Sequence, residues 1–243
     1  MPEGPSIIIL KEAVQDFKGK KIVEVTGNAK IEFPKLLNQK IIDFKTWGKH
    51  FLICFNRFTI RIHLLMFGTY KINERKDTIP RLGLKFDTGE LNFYTCSVQI
   101  INVPLDEIYD WSSDIMSPTW NPQKAIRKIN AKKDEFVCDV LLDQNIFSGV
   151  GNIIKNEVLY NISIHPEYLI KNLTKNKITE LVSEASSYSY KFLNWKSKFI
   201  LRKHWLVYKQ KLCSRDGTTI LNIKTGKTNR RSYFCPECQK NKG

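Results

Sequence analysis

The hydrophobic positions change period along the chain. Ile7, Leu10, Val14 and Phe17 follow helical spacing, with Pro5 fitting the first turn and Gly19 the C-terminal stop. From about residue 21 to 103, short β-branched and aromatic runs alternate with turn signals, at 21–26, 40–46, 50–55, 58–63, 69–73, 82–86 and 90–103. Seven or eight such strands predict a β-sandwich or barrel. Strand texture stops near Pro104, and residues 112–122, rich in Pro and small polar residues, read as a linker. Helical patterns follow over 123–133, 136–142, 152–160 and 173–195, with a tight turn at Ser148-Gly-Val-Gly151. The tail from about Tyr208 carries a Cys pair, turn residues and strand-like pieces. The expected class is α+β with several domains: 1–111, a hinge at 112–122, a helical 123–207, and the tail 208–243.

Composition narrows the class. A length of 243 residues fits one large domain or two to three modest ones, and 42% hydrophobic with 12% aromatic residues excludes global disorder. No apolar run approaches the roughly 18 residues of a membrane span. The start, Met-Pro-Glu-Gly-Pro-Ser, lacks the basic and apolar segments of a secretory signal, so an intracellular chain with no membrane partner is expected. Six Cys are too sparse for a disulfide scaffold, and Cys235-x-x-Cys238 favours a reducing compartment and a metal site. The net charge of +15 attracts a polyanion, although solubility alone is a plainer use for it. Its distribution favours nucleic acid: residues 209–243 hold nine basic and two acidic side chains, around the Cys pair.

Several residues carry potential chemistry. With Met1 removed, Pro2 exposes a secondary amine; an α-amino pKa near ~8, against ~10.4 for Lys, leaves far more of it neutral and nucleophilic. It can attack a carbonyl carbon such as C1′ of an opened sugar, and the iminium that results favours β-elimination. Glu3, beside it, can donate or accept the proton that step needs. Gly149-Val-Gly151-Asn152 places two glycines before a helix N-terminus that suits a phosphate, or forms an interhelical turn with Asn152 as cap. Cys213-x-x-Asp216 and Cys235-x-x-Cys238 offer three thiolates and a carboxylate to one Zn²⁺; the alternative is a metal-free hairpin. Arg230 and Arg231 lie between the pairs, available to phosphate or solvent. Lys49 is a lone cation at a turn. Leu65, Met66 and Phe67 stand just before Gly68 and can wedge into a base stack or fill a core.

The order of these features is specific. Met-Pro-Glu-Gly-Pro at the start, Gly-Lys-His-Phe-Leu at 48–52, His-Leu-x-Met-x-Gly at 63–68, Leu-Leu-Asp-Gln through Gly-Val-Gly-Asn-Ile to Asn-Glu at 141–157, Ile-His-Pro at 164–166 and the terminal Cys-x-x-Cys-Gln resemble the formamidopyrimidine-DNA glycosylase/endonuclease VIII family over essentially the whole chain. The resemblance implies a β-sandwich, a helix–two-turns–helix domain and a C-terminal zinc finger with one structural Zn²⁺, acting as a monomer on damaged DNA held between the domains. It implies excision of an oxidised base, a Schiff base through Pro2, and strand cleavage by β,δ-elimination. Pro2, Glu3 and Lys49 carry over as catalytic residues. His63, Asn152, Lys155 and Arg230 carry over as DNA contacts, Leu65, Met66 and Phe67 as the plug, and Cys213, Asp216, Cys235 and Cys238 as metal ligands. A noncatalytic damage-binding protein on this scaffold and a basic RNA-associated zinc protein are the competing readings; the second leaves the N-terminal motif unexplained.

Departures point to a branch. Where formamidopyrimidine enzymes carry Arg-Arg-Phe-Gly, this chain reads Tyr94-Thr-Cys-Ser-Val-Gln-Ile100, and Leu193 to Lys209 leaves little room for their long capping loop. Both resemble endonuclease VIII, which prefers oxidised pyrimidines. Ser6 stands where many members have a Glu that assists δ-elimination, and Asp216 where they have Cys.

Overall fold

The computed structural model describes residues 2–241, in two compact units that divide between Tyr109 and Asp110. The first opens with helix α1 (Gly4–Ala13), with Glu3 at its N-cap and Pro5 in the first turn. The Glu3 N–H donates to Ser6 Oγ at 3.4 Å. The helix is shorter than the apolar spacing predicts: Val14 leaves helical geometry, and a 3₁₀ turn, Gln15–Phe17, follows. The spacing survives because three residues per 3₁₀ turn still bury Val14 and Phe17 on one side.

Eight strands follow: β1 (Ile22–Thr26), β2 (Asp43–Trp47), β3 (His50–Cys54), β4 (Thr59–His63), β5 (Thr69–Ile72), β6 (Leu82–Phe86), β7 (Gly89–Tyr94) and β8 (Ser97–Ile101). They form two four-stranded antiparallel sheets, β1-β6-β7-β5 and β2-β3-β4-β8. The single run expected at 90–103 is thus two strands in different sheets. Thr95, at φ +51, turns the chain from one sheet to the other. Period-two alternation sends Phe51, Ile53, Ile60 and Ile62 into the core, where Phe51 meets Phe93 of the opposite sheet at 5.9 Å between ring centroids. The alternate residues His50, Arg61 and His63 lie on the other face.

The second unit holds α2 (Pro122–Asn130), α3 (Val137–Leu142), α4 (Asn152–Asn161), α5 (Lys175–Ser197) and the hairpin β9 (Leu221–Thr225) and β10 (Arg230–Phe234). Asn121 caps α2 through the Lys124 N–H at 2.8 Å, and Thr174 caps α5 through the Lys177 N–H at 3.2 Å. The stretch 112–122, expected as a linker, belongs to this unit. Ser113, Asp114 and Ile115 are buried, and the backbone at Asp114 bridges to Ser148. Asp110 fixes its start by pairing with Lys124 and Lys128. The tail from 208 also belongs to this unit. Small size and several glycines leave it little core of its own: Val207, Cys213, Ile220 and Cys235 gather around Tyr160 of α4. Among the described residues no helix is long and apolar enough to cross a membrane.

Candidate active site and nucleic-acid interface

In the first unit, Pro2 is half-buried and Glu3, next to it, is fully buried at the head of α1. Lys49 occupies the two-residue turn between β2 and β3, whose first residue, Gly48, has φ +51, a conformation that favours glycine. The antiparallel register sets His50 directly opposite His63, their rings meeting edge-on at 5.4 Å. Arg61, two residues before His63, lies on the same face. His50 Nδ1 is 3.2 Å from the Tyr109 hydroxyl. Burial, then Arg61, His63 and Lys49, push the His50 imidazole down to about 3. Burial, then Lys49 and Arg61, lower His63 as well. Both imidazoles are therefore neutral at physiological pH, and Lys49 and Arg61 supply the positive charge. Such a group attracts an anion with two fixed cations and offers neutral ring N–H donors beside them. His50, Arg61 and Tyr109 were not among the residues expected from sequence. The period-two spacing of Arg61 and His63 is the signal that could have found Arg61.

The loop from Leu64 to Gly68 is tightly closed by the Gly68 N–H to Leu64 carbonyl bond at 2.7 Å. A Cβ on Gly68 would lie 1.9 Å from that carbonyl oxygen, so no other residue fits. The closure thrusts out three apolar side chains, Leu65, Met66 and Phe67, exposed to 48%, 47% and 77%. They do not fill a core.

In the second unit, α4 carries the hairpin. Asn152 Nδ2 donates to the Arg231 carbonyl at 3.0 Å, and Asn156 Oδ1 accepts the Tyr233 N–H at 2.9 Å. Lys155 is fully buried, its Nζ donating to Ser232 Oγ at 2.8 Å and to the Arg231 carbonyl at 3.2 Å. Expected as a DNA contact, Lys155 is instead enclosed as a strut between helix and hairpin. The Asp139 carboxylate of α3 receives the Lys227 and Thr228 N–H groups at 2.8 and 3.0 Å and holds the hairpin turn. Arg230, at the start of β10 just past that turn, is exposed, as is Arg231. Gln144 supports the glycine turn before α4, accepting the Gly149 N–H at 3.1 Å and donating to the Leu142 and Val150 carbonyls at 2.8 and 3.1 Å.

Cys213, Asp216, Cys235 and Cys238 converge, with ligand atoms all within 4.8 Å of one another. Cys213 Sγ and Cys238 Sγ are 3.7 Å apart, far beyond a disulfide. Zn–S bonds of about 2.3 Å in a tetrahedron require an S···S edge of about 3.8 Å. Asp216 Oδ2 lies 3.1 Å from Cys238 Sγ and 3.4 Å from Cys235 Sγ, near the edge of about 3.5 Å that a mixed sulfur–oxygen tetrahedron requires. The donor set therefore fits a tetrahedral metal ion. The Thr218 N–H, then the Cys238 and Cys213 thiols, hold the Asp216 carboxyl below its usual range. Gln239 explains the residue after the last Cys: its Oε1 accepts the Cys235 N–H at 3.1 Å, and its Nε2 donates to the Ile164 carbonyl at 2.8 Å.

Comparison with known proteins places these features. Residues 1–97 match the profile of the formamidopyrimidine-DNA glycosylase N-terminal domain, and residues 113–193 that of the formamidopyrimidine-DNA glycosylase H2TH domain. The chain belongs to the formamidopyrimidine-DNA glycosylase/endonuclease VIII family. Among curated relatives, Endonuclease 8-like 3 of Xenopus laevis is 33% identical over 211 residues, covering 82% of this chain and 34% of that protein. The chain thus spans about a third of that relative's length. An endonuclease 8-like protein of Acanthamoeba polyphaga mimivirus is 27% identical over 98% of this chain and 100% of its own. These names agree with the endonuclease VIII branch of the family. The fold matches that of Lactococcus lactis Fpg (MutM), solved with DNA containing an oxidised pyrimidine, at a TM-score of 0.86 and 22% identity over 98% of this chain and 100% of that one. Pro2, Glu3, Lys49, His63 and Asn152 lie within the two matched ranges. Arg230 and the group of Cys213, Asp216, Cys235 and Cys238 lie beyond both matched ranges.

Proposed function

We propose that the protein is a bifunctional DNA glycosylase and abasic-site lyase that excises oxidised bases, pyrimidines foremost. The observation that carries the proposal is the juxtaposition of Pro2 with a fully buried Glu3 at the head of α1. With Met1 removed, the Pro2 nitrogen attacks C1′ of the damaged nucleoside. Glu3 delivers the proton that opens the sugar, and the base leaves with the electrons of its glycosidic bond. The iminium formed at C1′ then accepts the electron pair released when C2′ loses a proton and the 3′ phosphate departs. A second elimination expels the 5′ phosphate, and water releases Pro2. Lys49, with Arg61 and His63 on the neighbouring strand, neutralises the phosphate of the extruded nucleotide, Leu65, Met66 and Phe67 fill the gap in the duplex, and Arg230 and Asn152 hold the backbone. The tetrahedral group of Cys213, Asp216, Cys235 and Cys238 binds one Zn²⁺, which holds the hairpin in place and takes no part in the reaction.

Borohydride reduction of the iminium tests this directly. A covalent protein–DNA adduct is expected on oligonucleotides with a single oxidised pyrimidine or an abasic site, and Pro2→Gly is expected to weaken it severely. Absence of an adduct on every lesion, or Met1 retained on an otherwise DNA-binding protein, would instead make the chain a noncatalytic binder.

A further inference from the structure

Helix α5 ends in a Schellman turn. The Ile200 N–H returns to the Trp195 carbonyl at 2.9 Å, and the Phe199 N–H to the Lys196 carbonyl at 3.0 Å. The left-handed position of such a turn is the usual place of a glycine. Here Phe199 occupies it, at φ +59. Its side chain is 97% exposed. Left-handed backbone and an apolar ring in water are both unfavourable, and burial offsets neither. Among the described residues, Leu65, at φ +53 and 48% exposed, is the other large apolar residue with this pair of features, and it stands in the loop assigned above to the duplex.

The corner that presents Phe199 is held firmly. The Trp195 and His204 rings stack nearly parallel with centroids 4.2 Å apart, and Leu201 is buried in the helical core. The surrounding chain is basic without interruption: between Glu184 and Asp216 there are eight Lys and Arg and no acidic residue. Lys198, Arg202 and Lys203 are exposed, and among the described residues none of them forms an ion pair. A flat apolar face flanked along the chain by exposed, unpaired cations complements a ligand that is itself flat and flanked by negative charge.

We propose that Phe199 is a stacking platform for an unpaired base of a nucleic-acid strand, with the adjoining phosphates held by Lys198, Arg202 and Lys203. An aromatic face accepts any base, so the contact is indifferent to sequence and selects for unstacked, single-stranded segments. The proposal takes its class of partner from the preceding reading but does not depend on the excision chemistry.

The test compares the full chain with Phe199→Gly and Phe199→Trp. It measures melting temperature together with binding to a fluorescent oligodeoxythymidylate, to an intact duplex and to phosphatidylserine vesicles. Phe199→Gly is expected to raise the melting temperature, because it relieves the left-handed strain. It is also expected to weaken single-strand binding about ten-fold, in keeping with the loss of one stacked base. Phe199→Trp is expected to retain binding. A lower melting temperature for Phe199→Gly would give the ring a structural role and overturn the proposal. So would single-strand affinity unchanged by that substitution, a loss confined to vesicles, or failure of the unsubstituted chain to bind the oligonucleotide. None of these readouts needs an excised base, so a failed borohydride adduct and a failed platform are separate results.

Discussion

The Lys155 ammonium lies 2.8 Å from Ser232 Oγ, joining a helix to a hairpin strand 77 residues further along. Both groups are fully buried, so the lysine is enclosed with its hydrogen-bond partners. Removing the ammonium leaves the Arg231 carbonyl without that donor and vacates space. Lys155→Met is expected to lower stability by about 2 kcal/mol, read by urea denaturation. The slope of log affinity against log salt should be unchanged. Arg230→Ala should instead flatten that slope by about one unit while sparing stability. A flattened slope for Lys155→Met would restore that residue to the DNA interface.

The lowered His50 imidazole gives stability a pH signature. Its folded value, about 3, lies below its ordinary 6.5, so between these limits the unfolded chain binds the proton more readily. The contribution is fully present above pH 6.5 and is lost as pH falls through that window. Its slope is at most ~1.4 kcal/mol per pH unit. His63, shifted the same way, adds to it. The melting temperature of His50→Asn should therefore fall less steeply between pH 6.5 and 4 than that of the unsubstituted protein. Parallel curves would remove His50 from the cause.

Gly226 cannot carry a side chain. Its φ is +64, and a Cβ there would stand 2.5 Å from Asp139 Oδ2. Gly226→Val is expected to break the Asp139 bonds to the turn and displace Arg230 with it. DNA affinity should fall at least as far as in Arg230→Ala, although Gly226 itself offers no charge to DNA. Affinity equal to the unsubstituted chain would show that the turn does not position Arg230.

One zinc per chain is expected by atomic absorption, and chelation should lower the melting temperature of the second unit. Asp216→Ala should reduce zinc content, and Asp216→Cys should raise affinity by completing a four-thiolate site. Unchanged zinc in Asp216→Ala would remove Asp216 from the ligand set.

Much of this fold is legible in sequence because alternation is a direct imprint of a half-buried sheet. Ile60 and Ile62 inside, with Arg61 and His63 outside, can be read without coordinates. The 90–103 run was not separable: the break at Thr95 depends on a threonine accepting left-handed backbone, which carries no compositional mark. Lys155 is the converse case. A lysine one turn from a glycine loop looks solvated or DNA-facing, and only the arrival of β10 against α4 makes it buried. The 112–122 segment looked like a linker because Pro and Ser mark turns, whether or not those turns are packed. The convergence of Cys213, Asp216, Cys235 and Cys238 was legible by spacing; the neutral histidines were not, since their state depends on burial.

Eight consecutive residues of α4, Ile153 to Tyr160, are buried, and its side chains reach distant segments: Asn152, Lys155 and Asn156 bond to β10, Glu157 to the N–H groups of Leu206, Val207 and Tyr208, Tyr160 to Cys213 and Ser214, and Asn161 to Glu184. One edge amide of the hairpin is therefore tied to a largely buried helix of the unit. The Tyr233 N–H, bonded to Asn156 rather than to another strand, can exchange with deuterium only when α4 and the hairpin come apart. A peripheral strand thus reports, through one amide, the opening of the unit's interior.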